Sequence, residues 1–152
     1  MCITNQPPEP ATVRAFSMDK LIDWESRLSH LVSEVHGLKF AWGKLDCCLW
    51  AAACVEAQTG VDHAAGIRGT YSSAGTAARV VKRMGGLRGI GRLAGAPVAP
   101  LLAQHGDIGI VRSGGKPVLA LCAGPSWLVI TSLGLINAPL GAATHCWRTG
   151  HA

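Results

Sequence analysis

The spacing of apolar residues predicts three helices in the first part of the chain. Over residues 18–36, apolar side chains recur at helical spacing with polar ones between them: Leu21, Trp24, Leu28, Leu31 and Val35. Residues 47–57 are apolar on most sides and follow Asp46, a candidate N-cap, which predicts a buried helix. Residues 72–84 predict an amphipathic helix that stops at Gly85.

The pattern changes after this third helix. Residues 85–97 contain five glycines among a few apolar residues, which is typical of either a short helix or a loop. Short apolar segments separated by glycine turns then predict strands at residues 107–111, 118–122, 127–131, 133–136 and 145–148. Helices that precede strands in this way indicate the α+β class.

Composition indicates one globular domain. The chain has 152 residues, of which 49% are hydrophobic and 15% charged, a balance opposite to that of disordered proteins. Residues 17–152 show no linker and no repeat, and we expect a single domain there. Residues 1–16 contain three prolines and no apolar period, which predicts a flexible N-terminal arm.

The sequence also argues against two further classes of protein, those that span a membrane and those that carry a signal peptide. No apolar run reaches the roughly 18 residues of a membrane span, and the N-terminus lacks the basic start and apolar stretch of a signal peptide. The net charge of +5 permits anionic partners without specifying one.

The cysteines are expected to be reduced thiols, because the chain is large enough to fold without disulfides and no signal directs it out of the cytosol. As metal or iron–sulfur ligands they are poorly spaced, with no Cys-x-x-Cys among Cys47, Cys48, Cys54, Cys122 and Cys146. We therefore predict no metal and no cofactor.

Asp46-Cys47 is the strongest candidate for chemistry. A thiol at the start of a helix meets unpaired N–H groups and the positive end of the helix dipole, both of which favour the thiolate. A thiolate is the form that attacks a carbonyl carbon. The alternative is that Cys47 simply fills space in the core, as cysteine often does.

Two stretches carry a resemblance to a known family. Phe40-Ala41-Trp42-Gly43 followed by Asp46-Cys47 resembles the aromatic-x-Trp-Gly…Asp-Cys signature of NlpC-type cell-wall cysteine peptidases. Residues 106–111 and 117–124 are similar to two consecutive strands of that family, and the order agrees from about residue 18 to 131. The resemblance implies a papain-like fold, in which helices pack on a small antiparallel sheet and the nucleophile begins the central helix.

A branch of this family found in tailed phages and prophages resembles the chain at a larger set of positions, which includes those of the signature. They are Trp42, Gly43, Asp46, Cys47, Cys48, Gly69, Tyr71, Trp147 and Arg148. This likeness implies a tail-tip or hub component, made in the bacterial cytoplasm, located in the virion tail and bound to other tail proteins.

The resemblance also implies roles for individual residues. Cys47 would be the nucleophile, and Trp42 and Asp46 would line the substrate groove. If Gly124 matches the last glycine of the sheet motif, Val118 occupies the position of the general-base histidine, and valine cannot take a proton. His145 is the preferred substitute base.

A second histidine, His105, is the next choice as base. The resulting prediction is a degenerate, structural domain. The alternative is an active peptidase that uses Cys47 on peptidoglycan stem peptides. A remote alternative is a cysteine-ligated metal or iron–sulfur protein of the tail hub.

Basic residues concentrate in and after the third helix, at Arg79, Lys82, Arg83, Arg88 and Arg92. Such a cluster can meet nucleic acid or an acidic protein. No aromatic residues interleave with it, so we expect acidic partner proteins and no nucleic acid.

Overall fold

Four helices and a six-stranded antiparallel sheet make up the computed structural model, which describes residues 18–150. The helices are α1 (Trp24–Val35), α2 (Cys47–Thr59), α3 (Ala74–Arg83) and α4 (Gly86–Arg92). The strands are β1 (Pro97–Val98), β2 (Ile108–Ser113), β3 (Lys116–Cys122), β4 (Ser126–Thr131), β5 (Gly134–Pro139) and β6 (Ala143–Trp147). The prediction of an α+β fold is confirmed; the predicted arm at residues 1–16 lies outside the described part of the chain.

Strand order in the sheet is β1-β6-β2-β3-β4-β5, so the last strand inserts between the first two. β4 pairs with β3 only at Leu121 and Cys122, whereas β2 follows β3 along its length. The edge of β3 that would face β4 is therefore free at Leu119. This opening is where the start of α2 approaches the sheet.

α2 is the central helix because apolar side chains surround it. Trp50 and Cys54 are completely buried, and the Trp50 indole N–H donates to the Leu128 carbonyl on β4 over 3.1 Å. The helix packs between α1 and β3. It ends at Gly60, whose positive φ of 80° is the conformation that glycine adopts without strain at a helix C-terminus.

The side chains on the two faces of the sheet belong to different hydrophobic clusters. Residues that face the helices include Ile108, Ile110, Leu119 and Leu121. The opposite face carries Val111, Ala120, Cys122, Trp127, Val129 and Cys146, with Val118 packed beside them. The division follows from strand geometry, since successive side chains point to opposite faces. No helix within residues 18–150 is long and apolar enough to cross a membrane.

Candidate functional site

A buried carboxylate fixes the start of α2. Asp46 is only 2% exposed, and its Oδ1 accepts a hydrogen bond from the Leu49 N–H over 3.0 Å. Its Oδ2 accepts from the Gly43 N–H at 3.0 Å and from the Tyr71 hydroxyl at 2.5 Å. Asp46 is therefore the predicted N-cap, and both of its oxygens are occupied.

Backbone contact joins the two sequence motifs that supply these donors. Gly43 has a φ of 77°, and a Cβ built on it would lie 1.8 Å from the Tyr71 carbonyl oxygen. The Gly69 N–H also donates to the Gly43 carbonyl over 3.2 Å. Glycine is required at position 43 by both the positive φ and the close approach. Trp-Gly and Gly-x-Tyr thus form one unit beneath the start of α2.

Cys47 is the residue that this unit presents. A hydrogen bond from the neighbouring Cys48 thiol holds the pKa of the Cys47 thiol below its usual value. The N–H of Leu119, on the free edge of β3, adds to the effect, while burial and the Asp46 charge oppose it. The same hydrogen bond, with burial, raises the pKa of Cys48. The hydrogen bond therefore favours Cys48 as the protonated donor and favours the thiolate form of Cys47 as the acceptor.

Cys47 opens into a cleft of about 200 Å³. The lining residues are Trp42, Asp46, Cys47, Cys48, Tyr71, Ala74, Ala77, Ala78, Val81 and Leu87. The predicted groove residues Trp42 and Asp46 are thus both beside the thiol. α3 contributes its small apolar stripe, whereas its basic residues Arg79, Lys82 and Arg83 are exposed.

Within residues 18–150, no histidine lines this cleft. His145 pairs with Ile110 across β6 and β2, and Ile110 pairs with Leu119 across β2 and β3. Two strand spacings of about 4.8 Å each therefore separate His145 from the strand that reaches Cys47. The His145 ring contacts Thr144 through Nδ1 at 2.9 Å and stacks on Trp147.

His105 is also placed elsewhere. Its ring lies 5.4 Å from the Trp24 ring, near the start of α1. The structure thus brings Trp42, Asp46 and Cys47 together and leaves both candidate histidines outside the group that lines the cleft.

Val118 does not line the cleft either. Its side chain packs with the cluster on the outer face of the sheet, because it alternates with Leu119, which faces the helices. The atom of β3 that reaches Cys47 is the Leu119 backbone N–H. The match of Val118 to a motif position carries no information on the direction of its side chain, which depends on the strand pairing.

Three groups of this site were not among the predicted site residues: Tyr71, the Cys48 thiol as a donor and the Leu119 N–H. Tyr71 did carry a signal, since it belongs to the Gly-x-Tyr motif. Cys48 carried a weaker one, as the second cysteine of Asp-Cys-Cys. A backbone N–H on a strand edge has no signal in the sequence.

Among the described residues, Cys54, Cys122 and Cys146 do not line the Cys47 cleft. Cys54 and Cys122 are fully buried, and burial raises the pKa of each thiol. Among the described residues, no group of three or more histidine, cysteine or acidic side chains is arranged to hold a metal ion.

The role of Cys48 can be tested by thiol titration. Iodoacetamide reacts with the thiolate, so the pH midpoint of its reaction at Cys47 reports the pKa of that thiol. We expect a midpoint below the roughly 8.5 of ordinary cysteine and a higher midpoint in Cys48→Ala, because the hydrogen bond that favours the thiolate is gone. Peptide mapping by mass spectrometry assigns the reaction to Cys47.

Cys54→Ala is the matched control, since Cys54 lies in the same helix and makes no contribution to the Cys47 pKa. Its midpoint should equal that of the wild type. A wild-type midpoint at or above that of free cysteine would contradict the assignment.

Comparisons with known proteins place the chain in a family. No curated protein and no solved structure matches it. A family model described as a domain of unknown function, DUF6950, matches residues 19–149, which include the whole sheet and the Cys47 cleft. The chain therefore belongs to the DUF6950 family.

Proposed function

We propose that this protein is a tail-tip or hub component of a phage or prophage, with an NlpC-like, papain-type fold that has lost complete peptidase chemistry. The observation that carries the proposal is the cleft itself. It presents the Cys47 thiol, whose pKa is lowered by the hydrogen bond from Cys48, and no histidine within residues 18–150 lines it.

The papain-like assignment is supported by the place of Cys47. The cysteine begins a central helix that packs on an antiparallel sheet. β2 and β3, which contain the two stretches that resemble NlpC strands, follow this helix in the order of the NlpC signature. The aromatic-x-Trp-Gly segment lies directly beside the thiol, since Trp42 lines the cleft.

Incomplete chemistry is supported by the state of the neighbouring groups. Cleavage of an amide needs a group that returns a proton to the leaving amine. Asp46 already accepts three hydrogen bonds. Burial and the Asp46 carboxylate raise the pKa of Tyr71, whose hydroxyl proton is committed to Asp46. Neither residue is available as the acid.

A structural place in a phage tail is supported by the sequence resemblance and by surface charge. The basic residues of α3, Arg79, Lys82 and Arg83, are exposed and are not among the residues that line the cleft. They offer a positively charged face that would complement acidic neighbouring proteins.

An active peptidase is the second candidate, and the lowered pKa of Cys47 favours it. In that case Cys47 would attack a stem-peptide carbonyl of peptidoglycan, and the N–H groups at the start of α2 would stabilise the oxyanion. The proton would have to pass through a group outside the described lining of the cleft.

Digestion of purified peptidoglycan decides between the two candidates. Wild type and Cys47→Ala are incubated with sacculi, an NlpC peptidase of known activity serves as the positive control, and fragments are read by mass spectrometry. We expect no stem-peptide fragments from either protein while both remain folded by circular dichroism. Cleavage by the wild type that is lost in Cys47→Ala would establish the active peptidase.

The tail assignment has its own readout. Virions purified from an induced lysogen that carries the gene are separated into heads and tails and analysed by mass spectrometry. We expect the protein in the tail fraction, and its absence from intact virions would overturn this part of the proposal.

A further inference from the structure

The cleft beside the start of α2 is open to solvent, and its walls are apolar. Trp42 is 40% exposed, and small side chains of α3 form another wall. Asp46 is the one charged side chain among the described lining residues, and three donors already occupy its oxygens. The volume of about 200 Å³ holds several water molecules, so a large apolar side chain has room there.

Exposed basic side chains without acidic partners lie in the two helices that border this cleft. They are Arg79, Lys82, Arg83, Arg88 and Arg92. The ion pairs found within residues 18–150 all involve other residues. Residues 63–106 contain no aspartate or glutamate, so this stretch has no acidic neighbour to offer. The positive charge of α3 and α4 is therefore uncompensated in the described part of the chain.

Spacing along the helices brings these charges to the rim of the cleft. Lys82 follows Ala78, a lining residue, by four positions, and residues so spaced are neighbours on a helix surface. Arg88 directly follows Leu87, a lining residue of α4. Positive side chains thus stand beside two walls of an apolar cleft.

Helix stability accounts for only part of this charge. Lys82 and Arg83 lie in the last turn of α3, where cations interact favourably with the helix dipole. Arg79 lies outside that turn, three positions before Lys82 and four before Arg83, and like charges at these spacings repel each other. A bound acidic group relieves this repulsion, which favours an acidic partner over a neutral one.

We propose that the cleft is a docking site for an acidic segment of another protein, with one large apolar side chain of the segment in the cleft and its carboxylates at Arg79, Lys82 and Arg88. This inference rests on the proposed structural role in a tail, and it names the class of partner. In such an arrangement the buried anchor supplies most of the affinity, and the charged rim supplies orientation and selectivity.

A nucleic acid would match the charge but not the cleft. The polar edges of a base need hydrogen-bond partners when they are buried. The Tyr71 hydroxyl donates to Asp46, and the Asp46 oxygens are occupied, so neither group is free for a base. Bases also stack on exposed aromatic side chains, and residues 63–106 contain only Tyr71, which is buried. A protein segment is therefore the favoured partner.

Selection from a random dodecapeptide library displayed on filamentous phage tests the class of partner. The library is passed over the immobilised wild type, and peptides that Ala78→Phe retains equally well are discarded. Ala78 is exposed and lines the cleft, so the new ring occupies the anchor site without entering the core. We expect the remaining peptides to be rich in aspartate and glutamate around one large apolar residue.

The affinity of one selected peptide, synthesised with a fluorescent label, is then measured by anisotropy. We expect its Kd to rise at least about tenfold in Ala78→Phe and in Lys82→Glu. Ala65→Phe and Lys116→Glu are the matched controls, because both positions are exposed and neither lines the cleft. Their Kd values should stay within about twofold of the wild type, and circular dichroism verifies that every variant is folded.

Three results would overturn the inference: no retained peptide, retained peptides without an excess of acidic residues, or an affinity that is unchanged in Ala78→Phe. Binding of a duplex oligonucleotide that is lost in Lys82→Glu, with no acidic peptide retained, would assign the basic residues to nucleic acid instead. None of these results changes the expectation for peptidoglycan digestion or for the tail fraction. Conversely, cleavage of stem peptides would overturn the proposed loss of peptidase chemistry, and the peptide selection would still be decided by its own measurement.

Discussion

Gly43→Ala is expected to destabilise the fold by about 3–5 kcal/mol. A Cβ at this position would lie 1.8 Å from the Tyr71 carbonyl oxygen, which is backbone and cannot rotate away. The φ of 77° adds a cost of roughly 1–2 kcal/mol for any residue with a side chain. Urea unfolding of wild type and variant measures the difference.

The same substitution should also raise the pKa of the Cys47 thiol. The Gly43 N–H and the Tyr71 hydroxyl both donate to Asp46 Oδ2, so separating the two segments removes donors from a buried carboxylate. Less of its negative charge is then compensated, and that charge already opposes the Cys47 thiolate. In whatever variant remains folded, we expect the pH midpoint of Cys47 alkylation to rise.

Gly66→Ala provides the matched control. Nothing lies within 4 Å of a Cβ built on Gly66, so its free energy of unfolding should stay within about 0.5 kcal/mol of the wild type. If Gly43→Ala were equally mild, the close approach between the two motifs would not exist in solution.

Arg148→Met is expected to cost about 2–4 kcal/mol, because it leaves a buried carboxylate without its cation. Asp107 is completely buried, and its two oxygens lie 3.1 and 3.2 Å from Arg148 Nε. The Gln104 N–H donates to Oδ2 at 2.9 Å, and Lys20 lies near enough for its charge to interact with Asp107. These remaining partners keep the loss below that of an entirely isolated charge.

Arg148→Met also removes a tie between distant segments. The Arg148 Nη2 donates to the Leu102 carbonyl over 3.0 Å, so the guanidinium joins the end of β6 to the turn after β1. Chemical denaturation measures the change, and the double variant Asp107→Asn/Arg148→Met should recover part of the loss because the unpaired charge is gone.

The Arg68–Asp62 pair supplies a control for charge removal itself. The Arg68 and Asp62 side chains are 35% and 23% exposed, and Arg68 Nε lies 3.2 Å from Asp62 Oδ2. Arg68→Met should therefore cost no more than about 1 kcal/mol, as solvent screens such pairs. Equal losses in Arg148→Met and Arg68→Met would show that the Asp107 pair is not buried in solution.

The order of the helices and strands could be predicted from the sequence because it depends on residues that are close together in the chain. The periodicity of residues 47–57 and the Asp46 cap act over one or two turns, and α2 begins at Cys47 as expected. The glycine-rich segment after α3 was ambiguous, since glycine weakens any local preference, and α4 forms there with Trp147 packed on Gly91. β1 was missed because its two residues are a strand only by pairing with β6.

The sequence by itself thus determined the α+β order, the helix that carries Cys47 and the cap that starts it. Only the tertiary structure decided what lies beside the thiol. The Tyr71 hydroxyl reaches Asp46 from a loop 25 residues away. The Leu119 N–H reaches the Cys47 thiol from the free edge of β3. Sheet register and the alternation of side chains placed Val118 on the outer face and His145 two strands away. These placements depend on pairing between distant segments, which local periodicity does not encode.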